Sequence, residues 1–242
     1  MSRAKILAGV DGCRGGWVLA SCEGAPGAAR PRIAILKDFE ELVRMTVWHY
    51  RVAVDMPIGL ASGEKPRFCD VLAKEALPPG ARSRVFMAPP RETLLAENPA
   101  EFQAMHLAAR GRKAGIPVWG LMAKLRQVHE VMNPDLQRRI VEFHPELTWQ
   151  RLSGRALSSK HKPEGIMQRL ALLKGYMGDY ITMEDLKSHS PAKPDDVLDA
   201  LSGLFAAHAC SEIADFDGFA ENRLPPICPP RDSRGLRMEI WF

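Results

Sequence analysis

Residues 5–21 read KILAGVDGCRGGWVLAS. Lys5 to Asp11 is a short apolar run ended by an acid. Gly15 to Ser21 is a second run, reached through the tight turn Gly12-Cys13-Arg14-Gly15. A connection this short implies an antiparallel hairpin. Pro31 to Lys37 (PRIAILK) alternates as a third strand after the loop CEGAPGAAR. Asp38 then opens DFEELVRMTVWH, an N-cap acid followed by Phe39, Leu42, Val43 and Val47 at helical spacing. Arg51 to Asp55 (RVAVD) is a fourth strand, continuously apolar as a buried parallel strand is, and again ended by Asp. The order strand, strand, strand, helix, strand contains one crossover, which is normally right-handed.

From Pro57 to about Pro134 the pattern is helical. Helices are predicted over Glu64–Leu77, Pro99–Arg110 and Val118–Met132, broken by Pro78-Pro79-Gly80, Pro89-Pro90 and Gly115-Ile116-Pro117. This stretch, about 62–135, reads as a helical insertion after the fourth strand of a single domain spanning 1–242. Arg138 to His144 (RRIVEFH) resumes as a fifth strand. Helices follow at Pro145–Leu152, Pro163–Lys174 and Asp195–Ile213, with Asp195 as the N-cap, and the tail RGLRMEIWF is a candidate edge strand.

The 242 residues, 46% hydrophobic and 26% charged, describe an ordinary globular chain able to bury a full core. No run approaches the ~18 apolar residues of a membrane span. The opening MSRAKILAGVDGCRGG meets an acid and glycines before a signal-peptide core is complete. Five scattered cysteines without a CxxC read as reduced thiols, so a cytoplasmic location is expected. The net charge of +4 is unevenly spread. Residues 80–175 hold 16 basic and 8 acidic side chains, whereas 176–242 hold 6 and 12. A basic middle and an acidic end suit an anionic partner held by one part while carboxylates gather in another. Ordinary surface scatter is the plainer account.

Acids that end buried strands carry the chemistry. Asp11 and Asp55 each close a strand that belongs in the middle of the sheet, and burying two neighbouring carboxylates is costly without a cation. Each taken alone also reads as a turn cap. On the helix PDDVLDALSGLFAAH, Asp196 and Asp199 stand three apart and share a face, Cβ atoms ~5–6 Å apart. Ala200, Gly203, Ala206 and Ala207 continue that face with small side chains, which lets the helix approach a sheet closely. Asp196 also fits a first-turn acid favoured by the helix dipole; Asp199 has no such account. Glu142 and His144 alternate onto one face of the fifth strand, Glu142 as a further ligand and His144 as a proton shuttle or a strand-end hydrogen bonder. Arg14, in the hairpin turn beside Asp11, can grip a phosphate. Arg82, Arg84, Arg91, Arg110, Arg112 and Lys113, with Lys160 and Lys162 beyond the fifth strand, can track a polynucleotide backbone or simply face solvent.

Five segments together resemble a known family. They are GVDGCRGGWV (9–18), VAVDMPIGL (52–60), RSRVFMAPPR (82–91), VEFHPE (141–146) with SSKHKPEG (158–165), and DDVLDAL (195–201) with GLRMEIW (235–241). In this order they resemble domain-of-unknown-function family 429, a predicted nuclease family of the ribonuclease H-like superfamily. Asp196-Val-Leu-Asp199-Ala-Leu is similar to the late helix of the Holliday-junction resolvases in that superfamily. The segment RSRVFMAPPR departs from the family's SSVFPAP-like stretch in lacking the second serine and the proline.

The resemblance implies an α/β fold, a ribonuclease H-like five-stranded mixed sheet of order 3-2-1-4-5 flanked by helices. It implies a metal-dependent nuclease hydrolysing phosphodiester bonds of DNA or RNA. Asp11, Asp55, Asp196 and Asp199 would hold two Mg²⁺ or Mn²⁺ ions ~3.5–4 Å apart, with Glu142 also catalytic. Arg14, Lys160 and Lys162 would bind the nucleic acid, no membrane partner is expected, and a homodimer is plausible from the open sheet edges. Two other readings remain open at the level of sequence. One is a nucleotide-binding or phosphotransfer protein of actin or sugar-kinase type, which shares the sheet and a DxG-type hairpin but duplicates the fold. The other is a non-catalytic interaction protein that keeps the carboxylates as structure.

Overall fold

A computed structural model describes residues 4–242, the Ile116 side chain apart. Strand β1 (Ile6–Cys13) turns through Arg14 and Gly15 into β2 (Gly16–Glu23), and Gly15, at φ +83°, supplies the left-handed residue of this two-residue turn. Strand β3 (Arg32–Leu36) pairs antiparallel with β2. Helix α1 (Phe39–Met45) follows, and Asp38 caps it by accepting the Glu41 N–H at 2.8 Å, as its sequence predicts. It leads to β4 (Arg51–Val54), parallel to β1, and β5 (Ile140–Glu142) pairs parallel with β4. The strand order is β3-β2-β1-β4-β5. With β1 to β3 antiparallel and β1, β4 and β5 parallel, this is the ribonuclease H-like sheet.

Between β4 and β5 lie α2 (Phe68–Ala76), α3 (Pro99–Arg110) and α4 (Ile116–Val131). Helix α2 starts later than the sequence pattern suggests because Pro66 holds the preceding chain extended and Arg67 takes the N-cap position. Then come α5 (Pro145–Ser153), α6 (Pro163–Met177), α7 (Met183–Lys187) and α8 (Pro194–Ser211). The tail strand β7 (Ile240–Trp241) pairs with a short β6 (Arg223–Leu224), not with the main sheet as a ladder. A single parallel bridge from Phe143 to Trp241 still sets it beside β5.

Strand alternation divides the core into two layers. Leu7, Ala53, Val141 and Phe143 face α8 and α6, together with Leu201, Leu204 and Leu173. Ala8, Val10, Val52, Val54 and Ile140 face the other way, against Phe39, Leu42, Met122 and Leu125 of α1 and α4. Helix α8 lies unusually close to the sheet. A Cβ on Gly9 would stand 2.1 Å from the Ala200 carbonyl oxygen, and one on Gly203 would stand 2.7 Å from Gly9 Cα. Two glycines facing each other let backbone touch backbone.

Candidate active site

Parallel register sets the first two acids side by side. Val10 pairs with Val54, so Asp11 and Asp55 are the next residues on adjacent strands, and the Asp55 N–H donates to the Val10 carbonyl at 2.9 Å. Both follow the parity of Leu7 and Ala53, the α8 face. Asp11 lies inside the β1–β2 ladder opposite Val18, not at the end of the strand; only its pairing with β4 stops before it. The close crossing at Gly9 and Gly203 brings the first turns of α8 over this spot. Asp11, Asp55, Asp196 and Asp199 consequently line one cavity of about 440 Å³.

The carboxylates feel one another. Burial, then repulsion from Asp55 and Asp199, raises the Asp11 carboxyl well above its ordinary range. Burial raises Asp55, Lys160 lowers it, and Asp199 and Glu142 raise it again, leaving it at about 8. Asp196 is raised as well, chiefly by burial. Lys160 answers this charge. Its ammonium donates to Asp199 Oδ2 at 2.5 Å, and the Asp199, Asp11 and Asp55 carboxylates outweigh burial to hold it protonated. The Trp149 indole N–H donates to Asp199 Oδ1 at 2.9 Å, which fixes a carboxylate only 1% exposed. Asp11 accepts the Gly12 N–H at 2.7 Å, and Asp196 accepts the Lys193 N–H at 2.9 Å at the start of α8. The helix therefore begins at Pro194 with Lys193 as N-cap, and Asp195 is not the cap.

Other expected site residues sit differently. Glu142 pairs with Val54 and so takes the parity opposite to Asp55. Its carboxylate accepts from Arg67 at 2.5 and 2.7 Å and from the Ile58 N–H at 2.7 Å. Arg67 also pairs with Asp70, so Glu142 lines the cavity as part of a buried Arg67–Asp70–Glu142 cluster and does not join the four aspartates. Arg14 is exposed on the hairpin and Lys162 is exposed at the start of α6, both outside the cavity lining. Of the three expected substrate-binding residues, only Lys160 lines it, and there it serves Asp199.

The basic row between β4 and β5 is partly taken up internally. Arg84 pairs with Glu146, Arg91 pairs with Asp232, and Arg82 donates to the Leu77 carbonyl. His144 lines the cavity with a Nδ1 atom that has no hydrogen-bond partner among the described residues, and burial pushes its imidazole below the ordinary range, so it is neutral near pH 7. Trp149, Arg67 and Asp70 carry no signal in the sequence alone. Each is an ordinary helix residue until α8 or β5 is laid beside it.

As the side chains stand, no three His, Cys, Asp or Glu residues among those described form a group that can hold a metal ion. The oxygens of Asp199, Asp11 and Asp196 are engaged by Lys160, Trp149 and backbone N–H groups. The chemistry of the donor set nevertheless fits a hard divalent cation. All four candidate ligands are carboxylates, and the lining holds seven carboxylates against four Arg and Lys side chains.

The sequence matches the family described as protein of unknown function DUF429 over residues 9–215. This chain belongs to that family. No curated protein matches the sequence. One solved structure, described as Thermus thermophilus RuvC structure, is similar at 15% identity with a TM-score of 0.32, covering 84% of this chain and 93% of that one. The fold of the DUF429 chain rests on its own strand order, and no helix among the described residues is long and apolar enough to cross a membrane.

Proposed function

We propose that this protein is a divalent-metal-dependent phosphodiesterase that hydrolyses the backbone of DNA or RNA. The observation that carries the reading is the meeting of Asp11, Asp55, Asp196 and Asp199, from three distant parts of the chain, in one cavity whose carboxylates outnumber its cations. A purely structural cluster would be neutralised, as Glu146 is between Arg84 and Arg169. Among the described residues, Lys160 is the one Lys or Arg side chain at hydrogen-bond distance from these aspartates.

These four residues would hold Mg²⁺ or Mn²⁺, which when bound supplies a Lewis acid for phosphate oxygens and a water of lowered pKa. Lys160 holds Asp199 in its place and, on exchanging that carboxylate for substrate, offers its ammonium to a phosphate oxygen. The neutral His144 imidazole is the group suited to accept the proton of an attacking water. Trp149 keeps Asp199 from turning away while Lys160 exchanges partners.

The direct test is cleavage of labelled single-stranded DNA and RNA by purified protein with Mg²⁺ or Mn²⁺. Asp11→Asn is expected to lower the rate by ~10³-fold or more, since it removes one of the anionic ligands that would hold the cation against the negative charge of the transition state. Its melting temperature should be equal or higher. Cleavage unchanged by this substitution would overturn the assignment.

A further inference from the structure

We propose that the cavity admits one unpaired nucleotide at a time, so that its substrates are single strands or frayed ends and not intact duplex, and a free nucleotide is a ligand of the same pocket. This deepens, and rests on, the phosphodiesterase reading above.

The volume of about 440 Å³ is that of a small-molecule site, within the ~300–1,000 Å³ typical of ligand pockets. A paired, stacked nucleotide cannot enter a site of this size without leaving its helix. The walls divide the chemistry in two. The aspartates and Lys160 come from β1, the residue that follows β4, the loop before α6, and α8. Phe86, Met87, Pro89, Val118 and Leu121 come from the segment between β4 and β5 and make an apolar wall. Phe86 is 47% exposed although it borders a cavity, an aromatic face with room to receive a base. The fate of the basic residues agrees. Arg84 and Arg91 are spent on Glu146 and Asp232, which removes them from a row that would follow a duplex backbone.

The experiment compares cleavage, with Mn²⁺, of a labelled single strand and of the same strand in a blunt duplex, alongside calorimetric binding of thymidine monophosphate with Mn²⁺. The single strand is expected to be cut ~100-fold faster or more, since extruding a paired base is costly. Phe86→Ala should weaken single-strand cleavage and thymidine monophosphate binding by ~5- to 100-fold, the span of one lost base stack. Leu121→Trp, which fills the wall, should abolish both while the rise in melting temperature with Mn²⁺ persists. If Leu121→Trp fails to fold, Phe86→Ala at its exposed position still reads the pocket. Equal cutting of single strand and duplex, with Phe86→Ala silent, overturns the pocket inference and leaves the phosphodiesterase standing. Binding of thymidine monophosphate that depends on Phe86, with no cleavage of either polymer, overturns the phosphodiesterase and leaves a site for free nucleotides. Cleavage of the single strand without measurable binding of thymidine monophosphate restricts the pocket to strands.

Discussion

Asp55 shows what the cluster costs the fold. Its carboxyl titrates at about 8 in the folded chain and near the ordinary carboxylate value when unfolded. Between these values the native state binds the proton and the unfolded state does not, so stability falls as pH rises, by up to ~1.4 kcal/mol per pH unit. The favourable contribution is complete below about pH 4 and is lost by about pH 8. Asp55→Asn removes this dependence. In chelator-treated protein the variant should melt well above wild type at pH 8, by ~10 °C or more, with the gap closing towards pH 5. Thermal melts across that range check it, and a gap independent of pH would show that the Asp55 charge is not under strain. At this scale the sequence was informative about charge and silent about partners. An acid closing each apolar run and a DxxD helix point to Asp11, Asp55, Asp196 and Asp199 as candidates, although β1 runs on past Asp11 to Cys13. The meeting of Lys160 with Asp199 across 39 positions, or of Trp149 with the same carboxylate across 50, depends on loop paths that periodicity does not encode.

Among the elements, the crossing of α8 over β1 matters most. The stripe Ala200, Gly203, Ala206, Ala207 is legible as a surface built for close approach, and the structure adds its counterpart, Gly9, which in sequence is only one small residue in an apolar run. Gly9→Ala would set a methyl group 2.1 Å from a backbone oxygen, so the helix must lift. Overpacking of this kind costs ~1–3 kcal/mol or more, and here it also draws Asp196 and Asp199 away from Asp11 and Asp55. The expected result is a lower melting temperature together with loss of cleavage. Gly120→Ala on α4, where a Cβ meets nothing within 4 Å, should be neutral or stabilising. Melting curves and rates for the two variants separate a packing contact from a general intolerance of alanine. Element parity also explains Glu142. Three strand residues, Ile140–Glu142, leave it on the α4 side, and its sequence spacing from His144 could not reveal that Asp55 faces the other way. The start of α8 shifted because proline constrains the residue before it, so the cap falls to Lys193, ahead of Pro194, and not to Asp195.

At the scale of the whole molecule, the acidic end of the chain and the two central strands supply the four aspartates, while the basic middle supplies Arg84, Lys124 and Lys160 to the same cavity, where cations remain outnumbered by carboxylates. On the proposed reading, the excess of carboxylates would favour a divalent ion over a phosphate in the metal-free cavity, so the cation would bind before the substrate. An ion that binds only the native state raises stability as its concentration exceeds its dissociation constant, and carboxylates must give up their protons to receive it. Asp11 and Asp55 hold theirs tightly, the latter to about pH 8, so protons compete with the ion throughout the neutral range. The rise in melting temperature produced by a fixed concentration of Mn²⁺ should therefore be larger at pH 8 than at pH 6. Each tenfold gain in apparent affinity should add ~1.4 kcal/mol, or about 3–6 °C for a chain of this size. Differential scanning fluorimetry at the two pH values, with chelator as baseline and Asp199→Asn as control, measures this directly. A shift equal at both pH values, or retained by Asp199→Asn, would mean that the ion binds elsewhere and that Lys160 alone neutralises the cluster.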